Sequence, residues 1–152
     1  MKTPRRRRLE KKTDYKARFN FLKSGEKRLV ARKTNRYIIA QIVETNIAQD
    51  KVLLGITSKT LLEKGWPKEK AGSLKSIPAA YLTGFLLGKL AREKKIKKLI
   101  YDIGMHRNIH KSRLHAFLKG AIDSGLEIAH DSKILNNSAL EKAELIKIKE
   151  KL

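Results

Sequence analysis

The chain has 152 residues, 41% apolar and 34% charged, with no cysteine and a formal net charge of +21. This suits one domain with a modest core, and the lack of cysteine excludes disulfide stapling and thiolate metal sites. The longest apolar stretch, Ala79 to Leu87, is far below the roughly 20 residues of a membrane-spanning helix, and the basic N-terminus lacks the apolar segment of a secretory signal.

Fifteen Lys and Arg crowd the first 36 positions, against Glu10, Asp14 and Glu26. Residues 1–12 have almost no apolar content and are expected to be disordered alone. Thr13 is placed to cap a short helix over Asp14 to Lys23 that ends at Gly25. Tyr15, Phe19 and Leu22 form one apolar stripe on it. Phe19 is expected to anchor that stripe to the core, with Lys16, Arg18 and Lys23 turned outward. Arg28 to Lys33, Tyr37 to Glu44 and Lys51 to Thr57 read as strands of an antiparallel meander. Thr34-Asn35 and Ala48-Gln49-Asp50 are the turns, Asn35 being tolerant of positive φ.

Leu61 and Leu62 fit a helical turn before Trp66. Ser76 and Pro78 then open a long helix to about Lys94. Gly84 and Gly88 lie on one face of it and allow close backbone approach. Lys98 to Ile103 reads as a buried strand of the parallel type. A loop over 104–111 follows, then a helix starting at Ser112. Its apolar positions Leu114, Phe117, Leu118, Ala121 and Ile122 keep helical spacing. Leu126 to Ile128 adds a short strand, and Ser138 with Glu141 marks a capping box for a last helix to about Lys151. The fold class is therefore α/β with a mixed sheet. We divide the chain into a basic arm (1–25), a globular domain (26–130) and a C-terminal extension (131–152).

Such a charge repels itself unless a polyanion neutralises it, and nucleic-acid phosphate is the natural counter-charge. The arm supplies Arg5, Arg6, Arg7, Arg8, Lys11, Lys12, Tyr15, Lys16, Arg18 and Lys23. Arg32, Lys33, Thr34, Asn35 and Arg36 ring the first turn, and Arg107, Lys111, Ser112 and Arg113 follow in the later loop. No zinc-finger ligands, basic-zipper heptads or helix-turn-helix pair point to sequence-specific DNA reading. RNA, read by shape, phosphate and stacking on unpaired bases, fits better. A solvated tail, a nuclear-import signal and an anionic membrane surface are the blander readings of the arm. His106 and His110 have a metal-like spacing but no acid cluster to complete a shell. His115 reads as a boundary residue. Asp102 ends a strand where α/β nucleases hold magnesium, yet no spacing joins it to Asp123 or Glu44. A structural Asp102, bonding loop amides or pairing with Arg107, is the expected role.

Lys12-Thr13-Asp14-Tyr15, Leu22-Lys23-Ser24-Gly25 and the run from Arg28 to Ile42 resemble the archaeal form of the large-subunit ribosomal protein that binds 5S rRNA, the universal large protein eighteen family. So do Pro78 to Gly84, Asp102 to Arg107 and Lys119 to Ile128. The resemblance spans about residues 5–130. Asn108-Ile109-His110 departs from the Pro- and Gly-containing segment usual there. The resemblance implies a ribonuclease-H-like core without catalytic acids and no cofactor. It implies binding of 5S rRNA and its attachment to large-subunit rRNA in the central protuberance of a cytoplasmic ribosome, beside other large-subunit proteins. The rival readings are a metal-dependent nuclease using Asp102 and His106, and a nonspecific nucleic-acid-binding protein.

Overall fold

A computed structural model describes residues 3–47 and 49–131 of the chain. The helix expected from Ser138, the C-terminal extension beyond Asp131 and Ala48 of the second turn lie outside the described residues. Among the described residues the helices are α1 (Arg6–Leu9), α2 (Tyr15–Ser24), α3 (Ile77–Glu93) and α4 (Arg113–Asp123). The strands among the same residues are β1 (Arg28–Lys33), β2 (Ile38–Asn46), β3 (Gln49–Thr57), β4 (Lys98–Asp102) and β5 (Glu127–Ile128). Short 3-10 turns at Ser58–Leu62 and Lys68–Ser73 link β3 to α3. Among the described residues, no helix is long and apolar enough to cross a membrane.

The strands form one sheet in the order β3-β2-β1-β4-β5. β1, β2 and β3 are the expected antiparallel meander, while β4 joins β1 in parallel, with Val30 opposite Asp102. β5 extends the parallel side. The mixed α/β architecture read from the sequence is therefore present.

Strand alternation sorts β1 onto two faces. Leu29 and Ala31 are fully buried with Ile38, Ala40 and Ile42 of β2 in the main core, against α3 and α4. The two helices meet backbone to backbone. A Cβ on Gly84 would lie 2.1 Å from the Phe117 carbonyl oxygen, and one on Gly120 would lie 2.0 Å from that of Tyr81. Tyr101 and Phe117 stack within this layer, with ring centroids 6.2 Å apart.

The opposite face carries Arg28, Val30, Val43 and Asp102, also buried. There the polypeptide before β1 folds back over the sheet. Residues 1–12 were expected to lack structure alone; within them Arg6–Leu9 forms one helical turn. Asp14, not Thr13, caps α2, accepting from the amides of Lys16 (3.0 Å) and Ala17 (3.3 Å). Asp is as good a cap as Thr, and the Thr13 hydroxyl instead accepts from Arg7 Nε at 2.9 Å. Gly25 ends α2 as expected.

Candidate nucleic-acid interface

Parallel pairing of β1 with β4 brings the exits of both strands to one end of the sheet. The β1–β2 turn and the 103–112 loop thus become neighbours, although more than 60 residues separate them. The Lys33 amide donates to His106 Nε2 at 3.2 Å across that junction. Burial and the cations Arg32 and Lys33 push the His106 ring below the usual imidazole pKa, so it stays a neutral acceptor. The arm reaches the same loop, with Arg8 3.9 Å from the Met105 sulfur. All three segments expected to face RNA are therefore joined.

The β1–β2 turn owes its shape to Thr34. Its hydroxyl donates to the Tyr37 carbonyl (2.6 Å) and accepts from the amides of Arg36 and Tyr37. Asn35 is not among the residues with positive φ. The side chain of Thr34, rather than a left-handed Asn, closes the turn. Beside it, Asn35, Arg36, Lys59 and Lys75 line a concavity of about 460 Å³ that has no carboxylate on its wall. Lys59 sits 4.9 Å over the Tyr37 ring. Lys59 and Lys75 were not picked out from the sequence. They lie more than 20 residues beyond the turn, and the β2–β3 pairing followed by the two 3-10 turns brings them near.

Asp102 lies at the centre of a buried ion network. Its carboxylate accepts from Arg28 at 2.9 Å, Arg32 at 3.2 Å and the Gly104 amide at 2.7 Å. The expected bond to a loop amide is present. The expected Arg107 pairing is replaced by Arg28 and Arg32, because β1 runs alongside β4 and carries their guanidiniums directly over the strand end. Arg32 also donates to the Asp102 carbonyl at 2.8 Å. Gly104 makes room for it: φ there is +61° and a Cβ would lie 2.9 Å from the Arg32 guanidinium carbon.

The network continues through Arg28 to Asp50 (2.7 Å), and Asp50 accepts from Arg18 of α2 at 3.0 Å. Burial pushes the Asp50 carboxyl up. The bonds from Arg18, Thr45 and Arg28 outweigh that and hold it below the usual value. Two candidate RNA contacts, Arg18 and Arg32, are thus committed inside the protein. Phe21 lies 6.0 Å from the Arg28 guanidinium and, with Ala17, lines the cleft of about 440 Å³ between arm and sheet. Phe19, expected as the anchor, is 65% exposed. The inward face of α2 is set by Ala17, Arg18 and Phe21, so the stripe of Tyr15, Phe19 and Leu22 opens away from the sheet.

Among the described residues no group of three His, Cys, Asp or Glu is arranged to hold a metal ion. Asp123 accepts from the Tyr81 hydroxyl at 2.7 Å and Glu44 faces Lys27 at 3.7 Å, both away from Asp102. His115, expected at the boundary, is buried. Its Nε2 is 2.8 Å from Asn108 Oδ1, which can only accept, so Nδ1 faces the Ser112 hydroxyl at 3.4 Å as an acceptor. Ser112 therefore braces the loop through His115 and makes no side-chain cap to α4. Lys16, Lys23, Lys33, Arg36, Arg107 and Arg113 form no ion pair among the described residues and are available to a polyanion.

The sequence profile described as "Ribosomal large subunit proteins 60S L5, and 50S L18" matches residues 1–97, which hold the arm, the meander and most of α3. Proteins named "Large ribosomal subunit protein uL18" are similar over most of the chain. That of Aeropyrum pernix is 42% identical over 135 residues, covering 88% of this chain and 61% of the relative. That of Methanothermobacter thermautotrophicus is 40% identical over 141 residues, covering 93% and 71%. That of Haloarcula marismortui is 41% identical over 134 residues, covering 88% and 70%. The chain thus spans about three fifths to seven tenths of the length of these relatives.

Proposed function

The chain belongs to the family of ribosomal large subunit proteins 60S L5 and 50S L18, and on that premise we propose that it is a structural constituent of the large subunit rather than an enzyme. It binds 5S rRNA and anchors that RNA to the large-subunit rRNA in the central protuberance. The observation that carries the reading is the family match across residues 1–97, the part that contains the arm and the β1–β2 turn. The junction of arm, turn and 103–112 loop supports it. So does the strand order, with β2 antiparallel and β4 parallel to β1, which suits a ribonuclease-H-like core.

The mechanism is charge neutralisation on a rigid frame. Arg5, Arg6, Arg7, Arg8, Lys11, Lys12, Lys16 and Lys23 meet phosphates along the arm. Lys33 to Arg36 and Arg107 to Arg113 meet them at the end of the sheet. The fixed separation of these elements selects a folded RNA over a random helix. Arg18 and Arg32 act by holding the arm and loop in place. The nuclease alternative is weakened because the carboxylate of Asp102 is fully engaged by two guanidiniums.

Binding of the full chain to 5S rRNA, in competition with random duplex of equal length, tests the reading. With about eight phosphates engaged, affinity falls roughly a thousand-fold or more between about 50 and 200 mM salt, by analogy with duplex DNA. Equal binding of both RNAs, or an isotherm flat across that salt range, refutes it. Asp102→Asn settles the nuclease question, since no RNA cleavage is expected from either protein.

A further inference from the structure

Phe19 is a large apolar ring held out to solvent on a helix that also carries the cations Lys16, Arg18 and Lys23. With Tyr15 and Leu22 it lines a basin of about 760 Å³, separate from the cleft beneath α2. The Arg5 guanidinium lies 4.7 Å over the Tyr15 ring. Arg8 and Lys16 stand at the rim. The single carboxylate lining the basin, Asp14, is turned to the α2 amides and to Arg8 at 3.6 Å.

We propose that this basin seats an unpaired nucleobase of the bound RNA, with the base stacking on Phe19 and its flanking phosphates meeting Arg8 and Lys16. The inference rests on the RNA-binding function above and adds a recognition element that phosphate contact does not supply. A flat π surface ringed by cations matches the two faces of one nucleotide, an aromatic base and an anionic backbone. Paired helix does not fit, because its bases are already stacked and it offers mainly phosphate and ribose edges. An apolar peptide would meet Arg8 and Lys16 at the rim with no acid left to answer Lys16. The Arg5–Tyr15 stack fixes one wall in advance, which lowers the ordering cost of binding.

The test compares the full-length protein with Phe19→Ala and Phe19→Trp, each titrated with 5S rRNA and with a fully paired RNA duplex of equal length. Because the side chain is exposed, the thermal midpoint of Phe19→Ala should equal that of the parent. Its affinity for 5S rRNA should fall about 5- to 150-fold, the range found when one base loses its aromatic platform. Phe19→Trp should recover most of that loss. The slope of log affinity against log salt should not change, since no phosphate contact is removed. Duplex binding should be the same for all three proteins. Unchanged affinity of Phe19→Ala for 5S rRNA overturns the proposal, as does an equal loss on the duplex. If Phe19→Ala loses nothing while Lys16→Gln lowers both affinity and salt slope, the seat falls and the functional reading stands. If the parent protein itself fails to prefer 5S rRNA, the functional reading falls first.

Discussion

Replacing Asp102 tests the ion network that ties the arm to the sheet. Asp102 and Arg28 have side chains only 6% and 5% exposed. Asp102→Ala removes the acceptor of two guanidiniums and of the Gly104 amide at once. Arg32 is 37% exposed and can regain water, so it adds little. Arg28 cannot. It keeps Asp50 and Thr45 on one nitrogen, but its charge is left short of a buried counter-ion, and its Nε already has no partner among the described residues. Breaking one side of such a pair costs about 3–5 kcal/mol, which for a chain of this size lowers the thermal midpoint by roughly 6–20 °C. Asp102→Asn keeps the shape and one acceptor, so its loss should be smaller, about 2–3 kcal/mol. Denaturant unfolding followed by circular dichroism measures both. In the double variant Arg28→Met, Asp102→Ala the stranded charge is gone and part of the stability should return, because a buried pair replaced by apolar groups is often neutral. An Asp102→Ala protein within about 1 kcal/mol of the parent, or a double variant less stable than the sum of its parts, refutes the reasoning.

Gly84→Ala should destabilise by about 1–3 kcal/mol or more, since the added methyl meets the backbone carbonyl of Phe117 rather than a movable side chain; RNA affinity of the folded fraction should not change. Asp50 has a folded pKa held below its usual 3.8. As pH falls the unfolded chain therefore takes up the proton first, so the Asp50 contribution is complete above that value and is lost as pH drops through the folded one. Asp50→Asn should remove that acid-side loss and speed tryptic cleavage at Arg18 at neutral pH. His106 and His115 are both held below the usual imidazole value, His106 by burial, Arg32 and Lys33, and His115 by burial and His110 against an opposing bond to the Ile109 backbone. Protons then favour the unfolded chain, so stability should decline as pH falls below about 6.5, and His115→Gln should flatten part of that decline.

The elements were legible where local chemistry sets them. β1 has the expected bounds because Leu29 and Ala31 alternate with Arg28 and Arg32. α3 begins at Ser76 because its hydroxyl accepts from the Ala79 amide, and the close approach at Gly84 follows from two glycines one turn apart. The site was legible as composition and not as contacts. Phe19 and Phe21 are both aromatics on a basic helix, and only docking of α2 on the sheet decides which faces inward. Asp102 meets Arg28 and Arg32 rather than Arg107 because parallel pairing is a tertiary event. His115 carries an ordinary polar signal, and its burial depends on Asn108 and Ser112 folding over it.

The acids explain how one chain can be both strongly cationic and well folded. Asp50 and Asp102 are drawn under the arm, where they engage Arg18, Arg28 and Arg32. Glu10 faces Arg6 and Lys12, and Asp14 faces Arg8. Every carboxylate of the arm and of the sheet face beneath it is thus paired with a cation of the same region. The remaining cations of the arm and turn, among them Lys16, Lys23, Lys33 and Arg36, form no ion pair among the described residues. Internal pairing orders the frame, and on the proposed function the cations left without an internal partner are those most free to meet phosphate. An added acid at an exposed cation, such as Lys23→Glu, should therefore weaken RNA binding by more than its single lost contact while leaving the fold intact, because it adds repulsion toward phosphate to the loss of a cation. A loss in affinity no greater than that of Lys23→Gln, compared at the same salt, would show that the surplus is not felt as a continuous field.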